Sequence, residues 1–149
     1  MTFLNVAVNL KKSGVIKTID RTDYFKLANP GTSRPDLYNF ALALGFSRGY
    51  PTEIEGAKES FVREEYVNNA RYIYSSIYFS EYVNQGHKDE VDNLIYAEKT
   101  FALADQFANT GFSVLKDLVE NEPEETLTYK LIQEMDEIYE KIKDELKNI

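Results

Sequence analysis

At 149 residues the chain has the length of one ordinary domain, and with one His and no Cys it lacks the means for a disulfide framework or a thiolate zinc site. Hydrophobic residues are 43% and charged residues 28%, the balance of a soluble globular protein large enough to bury a core without covalent staples. The net charge of −8 argues against bulk duplex DNA as a ligand. No apolar run approaches the ~20 residues of a membrane span, no basic-then-apolar leader opens the chain, and a cytoplasmic protein is expected.

Residues 3–10, FLNVAVNL, alternate Leu4, Val6, Val8 and Leu10 against Asn5, Ala7 and Asn9. A KKSG turn and VIKTI follow, the pattern of a short N-terminal β-hairpin. The same stretch can be read as a helix from a Thr2 cap to Gly14. Because the following chain reads as helical and a lone hairpin is marginal in water, the helix is the favoured reading. NPGTSRP, residues 29–35, is loop chemistry, and DLYNFALALGF reads as a short helix from Asp36. Its stripe is Leu37, Phe40, Ala41 and Leu44, with Gly45 placed to end it in the left-handed conformation. SRGYPTEIEG is a second loop.

From Ala57 to Gln85 no Pro or Gly interrupts, so a long helix is predicted. At 100° per residue Tyr66, Ala70, Ile73, Ile77 and, at the edge, Tyr74 share one face. Tyr72, Phe79 and Val83 share the nearly opposite face. A helix apolar on both sides is buried on both sides. The aromatic-rich RYIYSSIYFSEYV, residues 71–83, is therefore read as core, with Tyr where a hydroxyl reaches a partner or the rim. An aromatic partner-binding face is the second reading. Base stacking would want rings interleaved with basic residues, and this stretch offers only Arg71.

Gly86 breaks the chain, and a second long helix is predicted from Asp89 to about Val119. Val91, Leu94, Ile95, Phe101, Ala102, Ala108, Phe112, Leu115 and Val119 carry its spacing. Gly111 in its interior costs about 1 kcal/mol relative to Ala and marks a tight helix crossing or a small kink. NEPEET opens the last helix, with Pro123 in the first turn and Glu122, Glu124 and Glu125 at the positive end of the helix dipole. Glu137 and Lys141 form a favourable i,i+4 pair. Its apolar positions are Leu127, Leu131, Met135, Ile138, Ile142, Leu146 and Ile149. Leu127, Ile138 and Ile149 are eleven apart, as are Leu131 and Ile142, and Met135 and Leu146. That repeat predicts a straight helix lying on the body of the domain. A regular stripe can also serve as half of a homodimer seam. The expected architecture is mainly α: a single helical domain over residues 1–149, built on two long antiparallel helices with a long C-terminal helix against them.

Charge is uneven along the chain: +4 over residues 1–52, −6 over 53–119 and −6 over 120–149. Lys11, Lys12, Lys17, Arg21, Lys26, Arg34 and Arg48 supply the basic third. They read as solvated surface or as a patch for an acidic partner or phosphates.

Enzyme chemistry has little to stand on. His87 lies in a polar turn. GxxxxGK[ST], GxGxxG and GxSxG are all absent. Glu98 and Asp105, seven apart, are the carboxylates that could share a face; the Glu-x-x-His pairs of a di-metal bundle do not occur. No catalytic residue, metal site or cofactor is expected. Residues 33–54, SRPDLYNFALALGFSRGYPTEI, carry the most character: Arg34 and Arg48 bracket a short apolar helix, and Tyr50 follows in a loop. Arg and Tyr often anchor interfaces, so Arg34, Arg48 and Tyr50 are the candidate partner-binding residues. The plainer reading pairs both Arg with surface carboxylates.

Phe40, Ala41, Leu44 and Gly45, then Ala108, Asn109 and Gly111, resemble steps in small helical accessory proteins encoded beside DNA phosphorothioation and other anti-phage defence genes in bacteria. The resemblance spans roughly residues 20–119, and the ANTG step here lacks the glutamate–tyrosine run that usually precedes it. It implies a non-catalytic protein partner in a defence or DNA-modification complex. Two alternatives accompany that expectation: a phage-encoded acidic inhibitor of a nucleic-acid enzyme, and a weak nucleic-acid-binding module using the basic N-terminal third.

Overall fold

The computed structural model describes residues 5–9, 34–55, 58–63, 71–83 and 85–147. Over these the protein is mainly helical. Strand β1 (Asn5–Asn9) precedes helix α1 (Arg34–Ser47), strand β2 (Lys58–Arg63) and helix α2 (Arg71–Tyr78). A π turn (Phe79–Val83) continues α2, and a 3₁₀ segment (Lys88–Ile95) leads to helix α3 (Ala97–Asn121) and helix α4 (Glu124–Lys147).

Among the described elements the most extensive contact is the crossing of α1 on α3. Leu37, Tyr38, Ala41, Leu42 and Leu44 of α1 meet Ala104, Phe107, Ala108, Phe112 and Leu115 of α3 in one buried cluster. Two glycines set how closely the helices approach. A Cβ on Gly45 would lie 1.8 Å from the Phe107 carbonyl oxygen, and one on Gly111 would lie 1.7 Å from that of Ala41. Each helix thus presents a bare Cα to the other's backbone. The tight crossing expected at Gly111 is present, and Gly45 is its counterpart rather than a helix terminator. The left-handed residue after α1 is Gly49, at φ +76°. Arg48 N–H and Gly49 N–H donate to the Gly45 and Phe46 carbonyls, tightening the last turn.

Residues 5–9 form a strand, not the favoured helix, and its partner is distant: β1 pairs antiparallel with β2, Val6 opposite Val62, with a bulge between Val6 and Ala7. Residues 15–19, the expected second arm of a hairpin, lie outside the described residues. Val62 enters the core, with β2 touching α1 and β1 touching α3. This pairing overturns the long helix expected from Ala57 to Gln85. Phe61 and Val62 suit a strand once a partner edge exists, and a Pro- and Gly-free run alone does not specify a helix. Among the described residues of that stretch, the helical part is α2 with its π turn. The second predicted long helix holds from Ala97 to Asn121 but is 3₁₀ before it. Among the described residues the central pair is the shorter α1 against α3 rather than two long antiparallel helices, and the long helices are α3 and α4.

The burial of α2 also differs from expectation. Tyr74, Ile77 and Tyr78 are buried, whereas Tyr72 is 70% exposed and Phe79 47% exposed. The helix has one covered face. Tyr74 stacks at 4.9 Å on Phe101 and edge-on to Tyr38 at 6.2 Å. Its hydroxyl donates to Asn39 Oδ1 at 3.0 Å, the tyrosine role expected for a ring buried with its tip at a partner. Tyr38 donates to Asp105 Oδ1 at 2.8 Å inside the core. Burial first, and the Asp105 charge second, hold both phenols well above the usual tyrosine range. Glu98 is exposed and Asp105 is engaged by Tyr38, so these two carboxylates do not act together.

One stretch of α3, Gln106 to Gly111, fastens the loop that leaves α1. Thr52 N–H donates to the Gln106 carbonyl at 3.2 Å. Asn109 Nδ2 donates to the carbonyls of Thr52 and Glu53, both at 3.3 Å, and Thr110 Oγ1 to that of Tyr50 at 3.0 Å. Ala41, Leu44 and Gly45, with Ala108, Asn109 and Gly111, are thus among the residues that build the crossing and hold this loop.

Candidate functional site: the outer face of the last helix

Helix α4 begins at Pro123, whose carbonyl accepts from Thr126 and Leu127 N–H. Leu127 is buried, and Leu131 packs against the core. Arg48 then grips Glu134 with one guanidinium nitrogen 2.6 Å from both carboxylate oxygens. Beyond that ion pair α4 stands off the body. An apolar cleft of about 650 Å³ opens between α1, α2 and α4, with Leu42, Phe46, Ile73, Ile77, Ile138 and Ile142 among its walls and Lys141 at its edge. The predicted Glu137–Lys141 pair is not made. Glu137 accepts from Gln133 instead, while Lys141 borders the cleft.

The expectation that α4 lies along the body with its apolar stripe covered holds only for Leu127 and its neighbours. Ile132 is 51% exposed, Met135 57%, Tyr139 61%, Ile142 50% and Leu146 65%. At 100° per residue Leu127, Leu131, Glu134 and Ile138 form the inner line, and the exposed five form a second line roughly a quarter-turn away. The helix carries more apolar surface than one contact can cover, which is why the eleven-residue set divides between two faces. Five side chains of this size exposed in a continuous row are the kind of surface that marks a contact site.

The predicted partner-binding residues do not converge. Arg34 begins α1 and Arg48 follows its end, which puts them ~20 Å apart along the helix. Arg48 is committed to Glu134, the plainer of the two readings for it. Tyr50 is 57% exposed on the loop fastened by Thr110. His87 is exposed in its turn. Among the described residues no group of three or more His, Asp and Glu stands close enough to hold a metal ion, and no helix is long and apolar enough to cross a membrane. Lys11, Lys12, Lys17, Arg21 and Lys26 lie outside the described residues.

The outer row on α4 was visible in the sequence as apolar positions. Nothing in the spacing said which of them the body would leave open. No family model matches the chain, and neither the curated proteins nor the solved structures searched contain a match.

Proposed function

We propose that this is a non-catalytic accessory or regulatory protein that acts by binding a protein partner, and that the contact is the outer face of α4. The observation that carries the reading is the row Ile132, Met135, Tyr139, Ile142 and Leu146, each half or more exposed on a rigid helix. Such a surface costs free energy in water and recovers it when covered. The adjoining cleft extends the apolar surface through Ile142 toward α1 and α2. Association with a defence or DNA-modification complex rests on the sequence resemblance alone.

The other two readings draw less support. An acidic mimic of DNA would favour an uninterrupted anionic face. Here Lys130, Lys143 and Lys147 lie 3.7, 2.8 and 3.0 Å from Glu122, Glu140 and Asp144, and the open face of α4 is apolar. A nucleic-acid module of the basic third would use Arg48, which is neutralised by Glu134.

The test is affinity capture from the native cell with the tagged chain and its Ile132→Glu/Tyr139→Glu variant, compared by quantitative mass spectrometry. Both side chains are exposed, so the variant should keep its melting temperature and lose the bound protein. Identical capture by the two forms would rule the face out as the contact.

A further inference from the structure

The spacing of the exposed row specifies its occupant. Ile132, Met135, Tyr139, Ile142 and Leu146 step by 3, 4, 3 and 4 residues, the alternation of the two apolar positions of a coiled-coil heptad. The inner residues Leu127 and Leu131 already serve the body, and Ile138 faces its cleft. A second line repeating every 3.5 residues keeps its seam toward another helix over its whole length. We propose that this other helix is α4 of a second copy of the chain, running antiparallel. The proposal rests on the protein-binding reading and names its partner.

Direction follows from the flanks of the seam. On one flank stand Asp136 and Lys143, both exposed; on the other stand Leu131 and Ile138, half-buried toward the chain's own body. A parallel pair sets unlike flanks against each other, so Asp136 and Lys143 would face positions already in use. An antiparallel pair sets like flanks together. With Tyr139 opposite the partner's Ile142, and Met135 opposite the partner's Leu146, Asp136 falls beside the partner's Lys143. The twofold axis makes that ion pair twice. Lys143 also holds Glu140 of its own helix at 2.8 Å, so the partner's Asp136 would join an existing acidic neighbour around one ammonium.

Steric room agrees with this register. Each body packs on its own α4 from Leu127 to Glu134 and faces it across the cleft as far as Ile142. In the proposed alignment these lengths overlap by only about one turn near Tyr139, so the two bodies sit end to end rather than against each other. Shifting the alignment by one heptad toward the N-terminus would overlap them over several turns and would set Asp136 against itself.

The experiment uses the full chain. Size exclusion with light scattering, and sedimentation over a concentration series, should give a mass twice 17.2 kDa that dissociates on dilution. Tyr139→Glu should be monomeric with an unchanged melt. Asp136→Lys and Lys143→Glu should each weaken the dimer about tenfold, and the double variant should restore it, because the pairs re-form with signs exchanged. The chain has no cysteine, so orientation can be read by cross-linking. A mixture of Tyr139→Cys and Ile142→Cys chains should form the mixed disulfide faster than Ile142→Cys forms its own. A monomer at every concentration overturns the proposal, as does a dimer that survives Tyr139→Glu or one in which Ile142→Cys pairs fastest with itself. A monomer that still loses a captured protein in Ile132→Glu/Tyr139→Glu sinks the second copy and leaves the protein-binding reading standing. A dimer whose capture profile ignores those substitutions does the reverse.

Discussion

Replacing Gly111 or Gly45 by Ala sets two principles against each other with opposite signs. Both glycines lie inside helices, where Ala is favoured by about 1 kcal/mol. Both face backbone: the new Cβ would sit 1.7 Å from the Ala41 carbonyl oxygen in one case and 1.8 Å from that of Phe107 in the other. A Cβ contact below 3.0 Å essentially does not occur, so the helices must part by more than 1 Å. The obstacle is a carbonyl locked in a helix, not a side chain that can swing aside. A radial gap of about 0.5–1 Å already forfeits a quarter to a half of the dispersion attraction across an interface. The gap here would open beside Leu37, Ala41, Phe107 and Phe112, which are fully buried. Overpacking of this kind costs about 1–3 kcal/mol and at times more, and the rigid obstacle places each substitution at the upper end, about 3 kcal/mol net. For a chain of this size the melting temperature should fall by roughly 6–12 °C. Urea titration and thermal melting followed by circular dichroism would measure it. Gly49→Ala, with open space around it but φ at +76°, should cost only about 1 kcal/mol. Combining Gly45→Ala with Gly111→Ala should cost less than the sum, because both open the same gap. If either single variant is neutral or more stable than the parent, the close crossing is not how α1 and α3 pack.

Three further outcomes follow from the polar contacts. Tyr38→Phe removes a donor from the buried Asp105 and should destabilise by about 1–3 kcal/mol in denaturant titration. Tyr38 and Tyr74 titrate higher folded than unfolded, so their contribution is present below the unfolded tyrosine value near 10 and is lost as pH rises toward the folded values. Denaturant midpoints should therefore fall steeply in alkali, and less so in Tyr38→Phe. Asn109→Ala frees the Thr52 and Glu53 carbonyls; it should cost about 1–2 kcal/mol and raise amide hydrogen exchange across 50–54 well above that of the α3 core. Arg48→Ala breaks a half-exposed ion pair and should cost less than about 1 kcal/mol globally, yet increase exchange in α4 beyond Leu131.

Local signals in the sequence located the helices well where burial repeats within one helix. α1, α3 and α4 follow from apolar spacing, and Pro123 marks the start of α4. Gly111 was interpretable because glycine in a helix interior is costly without a packing reason. What spacing could not reveal depends on contacts far apart along the chain. β2 takes its strand form from β1, more than fifty residues earlier, and neither Pro nor Gly announces the change. One continuous helix apolar on both sides predicts a covering neighbour for Tyr72 and Phe79, and both are exposed. The helix described, Arg71–Tyr78, ends in a π turn and has a single packed side. Of the candidate site, Arg34, Arg48 and Tyr50 were chosen by residue type, and the fold separates the first from the other two. The exposed row on α4 was present as a list of positions. It became a surface only once the body had claimed Leu127 and Leu131 and turned Ile138 to the cleft.

The six residues Gln106 to Gly111 perform two jobs on one turn and a half of helix. Gln106, Asn109 and Thr110 clasp the loop after α1, and Phe107, Ala108 and Gly111 receive α1 itself. Tolerance to substitution should therefore be sharply uneven along α3. A saturation library read out by folded yield should show Phe107 to Gly111 nearly frozen, while Gln106, which holds the loop through its backbone carbonyl, and the solvent side around Lys116, Asp117 and Glu120 accept most helix-forming residues.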